Sequence, residues 1–268
     1  MAKYKKKRAR ELQHDRFRDT TMSFFDRLGD LLEGRGRNIL YGLGAVLLAG
    51  ILILSFVKWR NRKNDEAQGA LGRAITIARA PVSTTPVPGN TEQTFATDKD
   101  RAQRAIEEFE KVAAKYGDPY RAESRYFIAA NRLVIDRQKG ISELKELQHS
   151  SVGEVAALSK FALAQTYESD GKLDDAVGLY SELARLNSPA VSAETANLRL
   201  AKVYEKQGKK KEAADLLFNI VDAARKAKGK DNQPLPQSSA AREAGDELKK
   251  LDPDRFAQLP PETPLLAG

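Results

Sequence analysis

The chain has 268 residues, 45 Lys plus Arg against 37 Asp plus Glu, a formal net charge of +8 and no cysteine. The missing thiols exclude disulfides, thiol catalysis and cysteine metal sites, and they suit an oxidising compartment such as the bacterial periplasm. Residues 1–63 hold 15 basic and 6 acidic residues while residues 64–268 hold 30 and 31, so the excess charge sits at one end and points to membrane topology before nucleic acid.

Residues 1–37 read as a basic cytoplasmic tail. The opening MAKYKKKRARELQHDR is polar and predicted disordered. Its charge suits anionic lipid headgroups, and ribosome or RNA contact is the electrostatic alternative. In 17–33, Phe17, Thr21, Phe24, Phe25, Leu28, Leu31 and Leu32 recur at spacings of three and four. That period predicts a short amphipathic helix on the membrane surface.

Ile39–Val57 holds nineteen residues and no charge. As a helix it is roughly 28 Å long, close to the bilayer core of about 30 Å. Arg35 and Arg37 precede it, Lys58, Arg60, Arg62 and Lys63 follow it, and Tyr41 and Trp59 fall near the interfaces. A single transmembrane helix is expected over 38–60. The apolar run exceeds a signal-peptide core of roughly 7–15 residues, so an anchor rather than a cleaved leader is expected. Gly42, Ala45 and Ala49 share one face, which could admit a second helix or simply reflect common membrane composition. Eleven Lys and Arg precede the run and five lie in residues 58–77. The bias predicts a single-pass inner-membrane protein with a cytoplasmic N-terminus and a periplasmic C-terminal domain.

Residues 61–251 are expected to be all-α. Ala67, Ala70, Leu71, Ala74, Ile75 and Ala78 form one stripe, which Pro81, Pro86, Pro88 and Gly89 terminate. After a loop at 81–99, Ala102, Ala105, Ile106, Phe109 and Val112 mark the next helix, ending at Gly117-Asp118-Pro119. Further helices follow to residue 251, with a second loop at 227–238. The Pro-rich stretch 252–268 is expected to be disordered.

An internal repeat sets the fold. The stretch 163-LAQTYESDGKLDDA-176 matches 200-LAKVYEKQGKKKEA-213 at a constant offset of 37 residues. Leu163, Ala164, Tyr167, Gly171 and Ala176 correspond to Leu200, Ala201, Tyr204, Gly208 and Ala213. The alanines are close-contact points, the tyrosines fill the space within a helix pair, and the glycines end the first helix in a left-handed conformation. This pattern resembles the tetratricopeptide repeat, whose period is about 34 residues. Arg121–Leu147 is a divergent copy, with Arg132 in the tyrosine position and no turn glycine. The segment 64–80 with the helix at 100–116 makes the first pair, and 238–251 closes the array. Basic tail, anchor, interrupted first pair and degenerate repeats together resemble the bacterial ancillary subunit of the Sec translocon. That family shares its repeat domain with a periplasmic cell-division coordinator. The resemblance covers roughly residues 20–225. It implies a membrane-tethered scaffold for translocon-associated, chaperone or newly exported proteins, with envelope assembly or division coordination as the alternative.

No catalytic constellation emerges. His149 beside Ser150 is a sequence neighbour pair, better read in a capping or solvent-facing role than as a base and nucleophile. Asp174-Asp175 sits at a helix start, where acids complement the dipole. No phosphate-loop pattern occurs. No enzyme, cofactor or metal is expected, and a protein partner is. For it the spacing predicts a hollow lined by Tyr126, Ala130, Leu133, Leu158, Phe161, Gln165, Glu168, Leu198, Lys202 and Glu205. Alternatively, these side chains pack against a neighbouring helix or the chain's own tail.

The charge bias gives the first expected outcome. Protease added to spheroplasts should digest residues 64–268 while the inner membrane is intact. Protection until that membrane is ruptured would reverse the topology.

Overall fold

The structure, a computed structural model, describes residues 36–83, 94–186 and 188–261. The basic tail, the expected surface helix at 17–33 and residues 262–268 lie outside the described residues. Among the described residues the chain is all-α, with ten helices and two isolated bridges, Val82–Phe95 and Lys228–Pro234. Two compact units divide at Asp65 and Glu66.

In the first unit lies most of α1, Gly36–Ala78, a helix of 43 residues. It is long and apolar enough to cross a membrane, and its most apolar stretch is wholly uncovered. Val46, Leu47, Leu52 and Leu54 are all exposed. At the end of this stretch the Lys63 ammonium lies 4.2 Å from the Trp59 ring centroid, with Phe56 at 6.0 Å. Nothing in the sequence breaks the helix after Val57, since the next proline is Pro81.

In the second unit, the last turns of α1 bury Ala67, Leu71 and Ala74 against Ile106, Phe109 and Val112 of α2, Asp98–Lys115. The loop between them is held at its base, where the Ser83 amide donates to the Phe95 carbonyl at 2.9 Å. Thr97 caps α2, its hydroxyl accepting from the Asp100 amide. There follow α3 (Tyr120–Ile135), α4 (Arg137–Leu147), α5 (Gly153–Ser169), α6 (Leu173–Leu186), α7 (Ala193–Lys206), α8 (Lys210–Lys226), α9 (Ser239–Leu251) and α10 (Pro253–Ala257). Each packs on its chain neighbour, and α3 also meets α5 as α7 meets α9. The apolar core forms four successive clusters, each shared by adjacent helices. This is the stacking expected of a helical repeat, where each unit buries its face only against its neighbours.

The two matched repeats fold alike. Gly171 and Gly208 have φ of +72° and +75°, in the left-handed region where only Gly escapes a Cβ penalty. Beyond them the Lys172 amide reaches back to the Tyr167 carbonyl and the Lys209 amide to the Tyr204 carbonyl, both at 2.9 Å. These six-to-one bonds satisfy carbonyls that the helix end would leave open. Ala164, Ala176, Ala201 and Ala213 are all buried.

The divergent pair solves the same turn otherwise. Asp136 ends α3 and starts α4, its carboxylate accepting from the Lys139 amide. The small residue comes four positions later. A Cβ on Gly140 would lie 2.7 Å from the Leu133 nitrogen and 3.0 Å from the Ala129 carbonyl oxygen, so here α4 approaches the α3 backbone too closely even for alanine.

One expectation is corrected. Residues 252–261 are ordered rather than disordered. Pro253 opens α10, and Leu259 is buried with Val221 and Leu248. Proline at the first helical position starts a helix instead of preventing one, and Phe256 and Leu259 supply the apolar face.

Two glycine substitutions separate close packing from propensity. Gly140→Ala should lower the melting temperature of the full chain in detergent, overpacking of this kind costing about 1–3 kcal/mol. Gly178→Ala in α6, where nothing lies within 4 Å of the added Cβ, should raise stability by up to about 1 kcal/mol. Circular dichroism melts read both, and shifts of the same sign would refute the packing described for Gly140.

Candidate functional site

The repeat residues are used up in holding helices together. Tyr167 and Tyr204 each lie under the lysine that follows their turn, Lys172 at 5.6 Å and Lys209 at 5.5 Å from the ring centroids. Tyr180 is fully buried and its hydroxyl donates to Glu168 at 3.1 Å. Burial, and then the Glu168 carboxylate, push its phenol far above the usual range. Glu168 also pairs with Lys206 of α7, so it ties α5, α6 and α7 together.

The large apolar residues of the expected hollow pack on three different clusters. Tyr126 and Leu133 pack on the α3–α4–α5 cluster, Leu158 and Phe161 on the α5–α6–α7 cluster, and Leu198 belongs to a third cluster with α8 and α9. Leu198 is buried, 4% exposed. It is buried because α9 lies against α7, and the same contact pairs Lys202 with Glu243. Phe161 meets Tyr180 edge-on at 5.9 Å. Burial raises the Tyr126 phenol above its ordinary range. Ala130 is half-buried, and only Gln165 and Glu205 of the set are exposed. Period-matched residues of successive helices fall into line in sequence, and of them Leu198 is sealed where α7 meets α9.

Open concave surface occurs instead on the divergent repeat. A cleft of about 520 Å³ is lined by Glu110, Arg125, Ile128, Arg132, Lys139, Ser142, Glu143, Glu146 and Leu147. It continues into one of about 290 Å³ toward Gln103 and Ile135. On the other side it shares Arg125, Glu146 and Leu147 with one of about 450 Å³ reaching Asp118 and His149. Arg132 stands at its centre, in the tyrosine position of the repeat. Its guanidinium pairs with Glu143 of α4 at 3.3 Å and Glu110 of α2 at 3.5 Å. Arg125 pairs more loosely with Glu146 at 3.6 Å. Alternating charge over a floor of Ile128 and Leu147 can exchange these ion pairs for those of a polar partner segment. Sequence reading missed Arg125, Lys139, Glu143 and Glu146. The signal was present: Arg125 and Arg132 lie seven apart, Lys139, Glu143 and Glu146 at four and three, each set on one helical face.

His149 and Ser150 lie at the rim of this surface. The Ser150 hydroxyl accepts from the Val152 amide at 3.2 Å, so it shapes the turn into α5. Asp174 accepts from the Gln207 side chain at 2.9 Å. Among the described residues no group of three or more His, Asp or Glu could hold a metal ion.

No protein-family model and no curated protein matches the chain. Two solved structures are similar in part, both of a putative kinesin light chain from Podosopora anserina with nearly identical TPR-like repeats. One aligns with a TM-score of 0.42 and 19% identity over 59% of this chain and 81% of that chain. A point variant of the same protein aligns with a TM-score of 0.44 and the same identity and coverage. The repeat assignment made above stands on this chain's own turns, contacts and core.

The ion pair at the centre of the cleft is testable by a double-mutant cycle. Arg132→Ala and Glu143→Ala should show a coupling of about 1 kcal/mol in denaturant unfolding, the upper end for partly exposed pairs. Strict additivity would show that the pair does not organise the cleft.

Proposed function

We propose that this chain is a membrane-tethered protein–protein interaction scaffold of the bacterial envelope, which captures a polar segment of its partner in the charged cleft of its divergent repeat. The cleft carries the reading. A repeat that served stability alone would keep a tyrosine at position 132, as its neighbours do at Tyr167 and Tyr204. Here that position holds a half-buried arginine between two carboxylates, at the centre of an open surface. Departures from a local pattern tend to mark function.

The tether in this reading is Ile39–Val57, with the array in the periplasm, the N-terminus in the cytoplasm and the basic tail against anionic lipid. The uncovered apolar stretch of α1 supports it, and so does the excess of Lys and Arg ahead of that stretch. Partners of the class implied by the translocon resemblance are translocon-associated proteins, periplasmic chaperones or newly exported chains. The scaffold needs no cofactor and performs no catalysis. It acts by holding a partner near the membrane, where confinement raises effective concentration.

A photo-crosslinking residue in place of Ser142, inside the cleft, should give discrete adducts in intact membranes. The same residue at exposed Asn219 of α8 should not. Arg125→Glu combined with Lys139→Glu should reduce the cleft adducts at least tenfold with helicity unchanged. Adducts that persist through the charge reversal, or that appear only from Asn219, would remove the cleft from the function.

A further inference from the structure

We propose that residues 252–261 are a built-in occupant of a second ligand site, on α8 and α9, and that this site takes a partner segment of the same chemistry: a basic residue, then an aromatic, then a leucine three positions on. The inference rests on the scaffold reading only in supposing that a partner exists. The site shares no residue with the α2–α4 cleft.

The chain reverses over a single residue. The Asp252 amide closes α9 by donating to the Leu248 carbonyl at 2.8 Å, and its carboxylate opens α10 by accepting from the Arg255 amide at 2.9 Å. A helix of five residues is far too short to hold itself, since nucleation alone is unfavourable. Its order therefore comes from its seat. Arg255 pairs with Asp215 of α8 at 2.8 Å, and its guanidinium lies 4.7 Å from the Phe218 centroid. Two cations lie over the Phe256 ring, Arg225 at 5.6 Å and Lys249 at 6.0 Å from its centroid. Leu259 is buried among Val221 and Leu248, and Arg225 donates to the Pro260 carbonyl.

These contacts form a recognition set as well as an edge of the core. Leu259 belongs to the same buried cluster as Ala240, Ala241, Ala244 and Leu248 of α9, with Phe256 packed against it. The strap adds a charge pair, an aromatic beneath cations, one buried leucine and a bond to a main-chain carbonyl. That is the inventory by which helical peptides are held in grooves, with the aromatic as anchor. Tethered through Asp252, the strap has an effective concentration on the order of millimolar. It would exclude a free ligand until displaced.

The test uses the full chain in detergent micelles and a fluorescent peptide spanning residues 250–262. Phe256→Ser with Leu259→Ser releases the strap. The peptide should then bind at least tenfold more tightly than it does to the unaltered chain. Binding should be lost when Asp215→Arg is added, and regained with a peptide carrying Arg255→Asp. Arg255→Ala alone, a milder release, should give an intermediate gain. A released chain that stays helical and binds no peptide overturns the proposal. So does one whose array melts with the strap, because the segment is then core. Neither result bears on adducts from the α2–α4 cleft, so the two readings fail separately.

Discussion

The array depends on one backbone constraint, the left-handed glycine that ends the first helix of a pair. At Gly171 and Gly208 it turns the chain within three residues, so the next helix must fold back on the one before. Alanines at the crossing let the pair close, and the tyrosine at the helix end is covered by the lysine just past the turn. Because the glycine, the lid and the crossing recur at a fixed offset, each pair presents its neighbour with the same face. Where the constraint is relaxed, at Asp136, the pair closes through Gly140 instead. The tyrosine position is then free to carry Arg132, and a polar cleft takes the place of a packed ring.

Charge does different work along the chain. The near-neutral array spends its acids and bases as links between helices: Lys160 with Glu182, Lys206 with Glu168, Lys202 with Glu243. Pairs of this exposure contribute at most about 1 kcal/mol each. Their effect is to favour one stacking register over others by penalising like-charge contacts. Arg132 sits within two such links at once, so it joins α2, α3 and α4 around the cleft.

Much of this was legible before any coordinates. Helix class, the repeat, the left-handed glycines and the buried alanines follow from spacing, because each is a local requirement with few solutions. What was not legible concerns which of two apolar faces meets a neighbour. Leu198 and Phe161 occupy equivalent-looking positions, yet Leu198 is sealed by α9 and Phe161 packs on Tyr180. The sequence of α7 does not encode where α9 comes to rest. The tail misled for another reason. Its prolines suggest an open chain, while the information that orders it, Asp215, Phe218 and Arg225, lies some forty residues earlier in α8.

A stacked array must bury two end faces, since each repeat leaves one side for a neighbour. The first face is covered by Ala67, Leu71 and Ala74. These belong to a helix of 43 residues and cannot leave without unwinding it. The last face is covered by α9 and then by a strap joined through one residue. The two closures therefore differ in what removing them requires: at one end many helical hydrogen bonds, at the other a few side-chain contacts and a rotation about Asp252. Stability is not uniform over such a structure, and opening begins where the fewest contacts are lost. Local opening is thus favoured at the C-terminal end of the array.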